Sequence, residues 1–140
     1  RLKNLVNQRK SLWKKYKQDF PVKLEALNIS SQDQRFLQKL NEIMQKKKSD
    51  ADFSTESLVK EMGVSRTLLH EKLKALTGQS TSEFIRNYRL DYAAKLIKAN
   101  YGNFTQIAYE AGFNDQSYFT KTFRKKFGMS PSQYAKSIDV

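Results

Sequence analysis

Residues 105–128 read TQIAYEAGFNDQSYFTKTFRKKFG. Ile107, Ala108 and Ala111 fall on one side of a short helix over 105–111. Gly112 then supplies a turn. Phe119, Phe123 and Phe127 recur at every fourth position, which sets one apolar face on a helix over 115–127. Asn114 is a suitable cap for that helix, and Gly128 a suitable end. A short helix, a glycine turn and a second helix together make the helix-turn-helix pattern.

The same order occurs once before, at 55–78, TESLVKEMGVSRTLLHEKLKALTG. Leu58, Gly63 and Val64 correspond to Ile107, Gly112 and Phe113 at an offset of 49. Leu69, Leu73, Gly78, Ser80 and Phe84 correspond to Phe119, Phe123, Gly128, Ser130 and Tyr134 at an offset of 50, so one residue is added near Asp115. An internal repeat of this kind makes each copy one supersecondary unit. In the first copy a helix over 55–62 turns inward Leu58, Val59 and Met62. Ser65 caps a helix over 66–76. Ser80 and Glu83 form a capping box that opens a long helix to Lys98. That helix is apolar round much of its girth, which suits burial between the two units. Asn100, Gly102 and Asn103 break it. Ser130-Pro131-Ser132-Gln133 is a second capping box, with proline at the first helical position of a closing helix.

The second helix of such a unit lies in the major groove of DNA and reads base edges. It must therefore carry a core side and a groove side. Leu69, Leu73 and Leu76 face inward in the first copy, leaving Thr67, His70, Glu71 and Lys74 outside. Phe119, Phe123 and Phe127 face inward in the second, leaving Ser117, Thr120, Lys121 and Arg124 outside. The outer rows match at an offset of 50.

These residues resemble the C-terminal DNA-binding domain of the AraC/XylS family of bacterial transcription regulators. The similarity runs over roughly 33–138 and is strongest from Ile107-Ala108-Tyr109-Glu110-Ala111-Gly112-Phe113 through Ser130-Pro131-Ser132-Gln133-Tyr134. It implies base contacts from Thr67, His70 and Glu71 in one groove, and from Ser117, Thr120 and Lys121 in the next, with Gln116 nearby. An acid at Glu71 would accept from a cytosine amino group, repel phosphate, or pair with Lys72 or Lys74. Candidate phosphate contacts are Ser65, Arg66, Lys72, Lys74, Arg86, Thr105, Asn114, Arg124 and Lys125, with Arg89, Lys126 and Thr55 beside them. Some act through side-chain charge and some through free N–H groups at helix starts. The resemblance implies a cytoplasmic domain with double-stranded DNA as partner and RNA polymerase as a further one. Residues 1–37 are similar to the segment after a receiver domain in Bacteroides-type hybrid two-component regulators. Membrane association would then come only through upstream domains.

Charge is uneven. The chain of 140 residues carries 26 Lys+Arg against 14 Asp+Glu, a net charge of +12. Residues 1–20 hold seven bases and one acid, half of the excess. Their apolar residues Leu2, Leu5, Val6, Leu12, Trp13, Tyr16 and Phe20 form one stripe on a basic helix. That stripe suits a homodimer seam or signalling helix, and basic amphipathic helices also lie on membranes. A helix follows from a capping box at Ser31 and Gln34, with Phe36, Leu37, Leu40, Ile43 and Met44 on one side. The expected architecture is all-α. A linker helix and connector occupy 1–31, a first helix-turn-helix subdomain with the central helix 32–99, and a second subdomain 100–140.

The absence of cysteine excludes disulfides and cysteine-based zinc sites. The single histidine, His70, has no ligand cluster at metal spacing, so neither metal nor cofactor is expected. No phosphate loop or catalytic constellation is visible, and the chain reads as a non-enzymatic fragment of something longer. Charge alone would also suit RNA or non-specific nucleic-acid binding. The repeated glycine turns and the inward aromatic residues speak against that alternative.

Overall fold

A computed structural model describes residues 30–138 of the chain. The basic amphipathic helix expected over 2–20 lies outside these residues. Seven helices and no strand occur among the described residues: α1 (Ser31–Lys47), α2 (Thr55–Met62), α3 (Arg66–Thr77), α4 (Thr81–Lys98), α5 (Phe104–Glu110), α6 (Gln116–Phe127) and α7 (Pro131–Ser137). The all-α expectation holds, as do the two helix-turn-helix units and the long helix between them.

Local chemistry starts and stops these helices. The boxes at Ser80/Glu83 and Ser130/Gln133 are both closed, with side chain and backbone bonded reciprocally. Three expected helix starts shift. The cap of α1 is Ser30, which accepts from the Asp33 N–H at 3.1 Å, and not Ser31. The cap of α5 is Asn103, in a box with Gln106, so Thr105 lies inside the helix. The cap of α6 is Asp115, accepting from the Tyr118 N–H at 3.1 Å, and not Asn114. Asn114 stays in the turn as the residue the second copy adds. Adjacent residues of equal capping ability compete there, and the need to keep Phe113 in the core decides between them.

Two cores divide the fold. The first gathers Leu37, Leu40 and Met44 of α1, Leu58 of α2, Leu69 and Leu73 of α3, and Phe84 and Ile85 of α4. The second gathers Leu90, Ala93, Leu96 and Ile97 of α4, Ile107 of α5, and Phe113, Phe119 and Phe123. The changeover falls in mid-α4, between Tyr88 and Leu90, so one continuous helix serves both cores. Full burial of each such side chain contributes about 1.5–3 kcal/mol.

The cores differ in material. The first is largely aliphatic. The second is threaded by tilted aromatic pairs: Phe113–Phe119 at 5.1 Å, Phe119–Phe123 at 5.7 Å and Phe123–Phe127 at 4.5 Å between ring centroids. Tyr134 of α7 meets Phe123 edge-on at 5.5 Å. Such pairs add about 0.5–1.5 kcal/mol each beyond area burial. They fix the inward face of α6, and so the outward one.

Candidate nucleic-acid interface

Each second helix is held on its core by two fully buried residues, Leu69 and Leu73 on α3, Phe119 and Phe123 on α6. This leaves the opposite row outside. Thr67, His70, Glu71 and Lys74 are exposed on α3. Gln116, Ser117, Lys121 and Arg124 are exposed on α6, while Thr120 is half-buried. Periodicity alone had missed one position. Leu68 and Tyr118, equivalent at the offset of 50, are 41% and 46% exposed. Each adds an apolar group to the outer row, suited to a thymine methyl. The repeat alignment was the signal that could have paired them.

The candidate phosphate contacts fall into two sets. In the first, the side chain is already engaged. Ser65 Oγ accepts from the Leu68 N–H at 3.0 Å. Arg66 pairs with Glu56. The Lys72 ammonium donates to Asp33 Oδ1 at 2.7 Å and stands 5.2 Å from the Phe36 ring centroid. That bond holds the Asp33 carboxyl below its ordinary range, against an opposing effect of burial. Lys126 lies 3.5 Å from Asp91 Oδ1 of α4. Arg89 is half-buried, and its Nη2 donates to the carbonyls of Asp50 at 2.7 Å and Phe53 at 2.9 Å. Burial pushes its pKa down from the ordinary arginine value.

In the second set no ion pair forms with any described residue. Lys74, Lys121, Arg124 and Lys125 are exposed; Lys74 lies near Glu83, whose carboxyl is held below its ordinary range by the Ser80 N–H first and by Lys74 to a lesser degree. Glu71 likewise pairs with neither Lys72 nor Lys74. Thr105 and Asn114 are exposed near the start of the second unit.

Four candidates are brought together. Thr55 at the start of α2, Arg86 and Arg89 of α4 and Asn114 of the second turn line one cleft of about 330 Å³ between the units. Tyr118 of α6 lines it too, which connects the cleft to a recognition-helix face. Among the described residues no group of three or more His, Cys, Asp or Glu is placed to hold a metal ion. No helix among them is long and apolar enough to cross a membrane.

Comparison with known proteins agrees with this fold. A family profile described as a helix-turn-helix domain matches residues 58–137. The chain is 38% identical over 134 residues to histidine kinase P4 of Formosa agariphila, covering 96% of this chain and 10% of the kinase. It is 27% identical over 119 residues to the HTH-type transcriptional regulator MtrA of Neisseria gonorrhoeae, covering 85% of this chain and 39% of that regulator. The chain therefore spans well under half the length of either relative. Among solved structures, the C-terminal domain of AraT, a response regulator from Geobacillus stearothermophilus, superposes with a TM-score of 0.65 at 29% identity, covering 77% of this chain and 86% of that one.

Proposed function

This chain belongs to the AraC/XylS type of helix-turn-helix domain, the DNA-binding part of transcription regulators, and from that premise we propose how it reads DNA. Helices α3 and α6 enter successive major grooves on one face of the duplex, about 34 Å apart. Thr67, His70 and Glu71 meet base edges in one block, and Gln116, Ser117, Thr120 and Lys121 in the other. Arg124, Lys125 and Lys74 neutralise flanking phosphates. The backbone between the blocks runs past the cleft lined by Thr55, Arg86 and Asn114. The observation that carries this reading is the matched pair of outward rows, equivalent at the offset of 50 and, save for the half-buried Thr120, exposed above a fully buried pair.

The similarity to a histidine kinase and to a response-regulator domain supports a further placement. The chain serves as the output segment of a two-component signalling protein. The domain itself is a binding module, and any kinase chemistry belongs to other segments. Contact with RNA polymerase and dimerisation through residues 2–20 fit that role and are part of the proposal.

Selection from a random 30-base-pair duplex pool, followed by salt titration on the winner, tests the reading. Two enriched blocks about one turn apart are expected, with a salt slope that counts phosphate contacts. Binding without an enriched motif, vanishing as salt rises, would overturn it in favour of charge-driven association.

A further inference from the structure

The loop between α1 and α2 belongs to the first unit, yet the second unit and the far half of α4 hold it. Ser49 Oγ donates to Glu110 Oε2 at 3.1 Å, and Tyr92 OH donates to the same oxygen at 3.2 Å. Tyr101 OH donates to Glu110 Oε1 at 3.3 Å. Glu110 is the last residue of α5, so three hydroxyls from three different segments converge on it. The Lys48 ammonium lies 4.3 Å from the Tyr92 ring centroid. The Arg89 guanidinium reaches the Asp50 and Phe53 carbonyls of the same loop. Beneath these contacts the loop presses on the second turn, for the Lys48 carbonyl oxygen stands 2.6 Å from where a Cβ on Gly112 would be.

The two cores change over in mid-α4, so this one helix carries the covalent connection between the units. Loop 48–53 gives a second connection between the units, away from the helix axis. Two connections fix an orientation that one does not. The contacts are polar and partly solvent-facing, so their contribution to global stability is modest. Their effect falls on the angle between the units.

We infer that Glu110, with Ser49, Tyr92 and Arg89, forms a latch that sets the rotational phase between the two recognition helices, and so the spacing between the two DNA blocks the chain accepts. The inference rests on the two-groove reading above. Each base pair added between blocks rotates the second by roughly 34° and moves it about 3.4 Å, so a rigid pair tolerates little change. Glu110 and Tyr92 act here as positioning residues.

The test has one arm without DNA and one with it, both on the full 140-residue chain. Because the chain has no cysteine, Lys60→Cys and Lys136→Cys accept a pair of spin labels cleanly. Their distance distribution is expected to be narrow in the parent and broader in Glu110→Ala and in the milder Tyr92→Phe, with melting temperatures little changed. In the DNA arm, the selected duplex is compared with versions whose spacer is two base pairs longer or shorter. The parent should lose about tenfold or more, and the latch variants about threefold or less. Unchanged distance widths in folded variants overturn the latch whatever the DNA arm gives. Broadened widths with undiminished spacer discrimination overturn its link to spacing. A parent that binds all spacers equally overturns the two-groove reading itself, and the spacing role with it.

Discussion

The two helix-turn-helix units share one plan and differ in what they leave free. Helix α3 carries three bases and one acid, and α6 four bases and no acid. Two of the three bases on α3 are engaged, Arg66 by Glu56 and Lys72 by Asp33. One of the four on α6 is engaged, Lys126 by Asp91. The first unit thus offers DNA a nearly neutral row holding His70 and Glu71, and the second a basic one. Their turns differ as well. A Cβ on Gly63 would meet open space, whereas one on Gly112 would strike the Lys48 carbonyl and the Arg89 side chain. Packing thus leaves the two units unequal: the second carries more positive charge outside ion pairs and holds loop 48–53, while the first carries His70 and Glu71 on its outer row.

The turns give the largest expected contrast. Both glycines have positive φ, +71° at Gly63 and +91° at Gly112, so any side chain is strained at either. At Gly63 that strain is the whole penalty, about 1–2 kcal/mol for valine. At Gly112 a backbone clash is added, and Gly112→Val should cost about 3 kcal/mol or more. Urea denaturation of both variants measures the difference. Equal losses would mean that loop 48–53 gives way easily, and would count against the latch.

Much of this was legible in the sequence because the signals are local. Ser80 with Glu83 and Ser130 with Gln133 lie three residues apart and need nothing else to act. The Phe119/Phe123 and Leu69/Leu73 spacings decide which face turns inward, and so which residues are left outside. The fate of the cations was not legible. Asp33 and Lys72 are 39 residues apart, as are Arg89 and Asp50, and no window of periodicity spans that distance. Which of two adjacent capping residues is used, Asn114 or Asp115, also depends on packing elsewhere, through Phe113. The role of Glu110 is hidden in the sequence for the same reason, since its partners Ser49 and Tyr92 arrive only on folding.

Within the second unit, Lys121→Ala should weaken specific binding by about 1–3 kcal/mol and relax preference in one block. Competition between the selected site and random duplex checks this. An equal loss on both would move Lys121 from the base contacts to the phosphate contacts. Smaller effects separate free cations from engaged ones. Arg124→Ala and Lys125→Ala should each lower the salt slope of binding by about 1. Lys72→Ala should leave that slope nearly unchanged and cost some stability instead. A similar slope change for all three would show that Asp33 releases Lys72 to DNA, and the contrast between the units would shrink.

The smallest effect concerns that pair directly. The Lys72 hydrogen bond holds the Asp33 carboxyl below its ordinary value of 3.8 in the folded chain. A carboxyl with a depressed folded pKa binds its proton more tightly when unfolded. Its stabilising contribution is therefore complete above the unfolded value and fades as pH falls through the folded one. Both side chains keep about a third of their surface in solvent, 33% for Lys72 and 27% for Asp33, so the contribution at neutral pH is only about 0.5–1 kcal/mol. Asp33→Asn should lose that amount at pH 7 and progressively less below about pH 4, as urea midpoints at each pH would record. The same substitution releases Lys72, and the salt slope should then rise towards that of a chain with one more free cation. A slope that stays put while stability falls would mean that Lys72 points away from the duplex even when unpaired. The charge difference between the two readers would then be a matter of geometry and not of pairing.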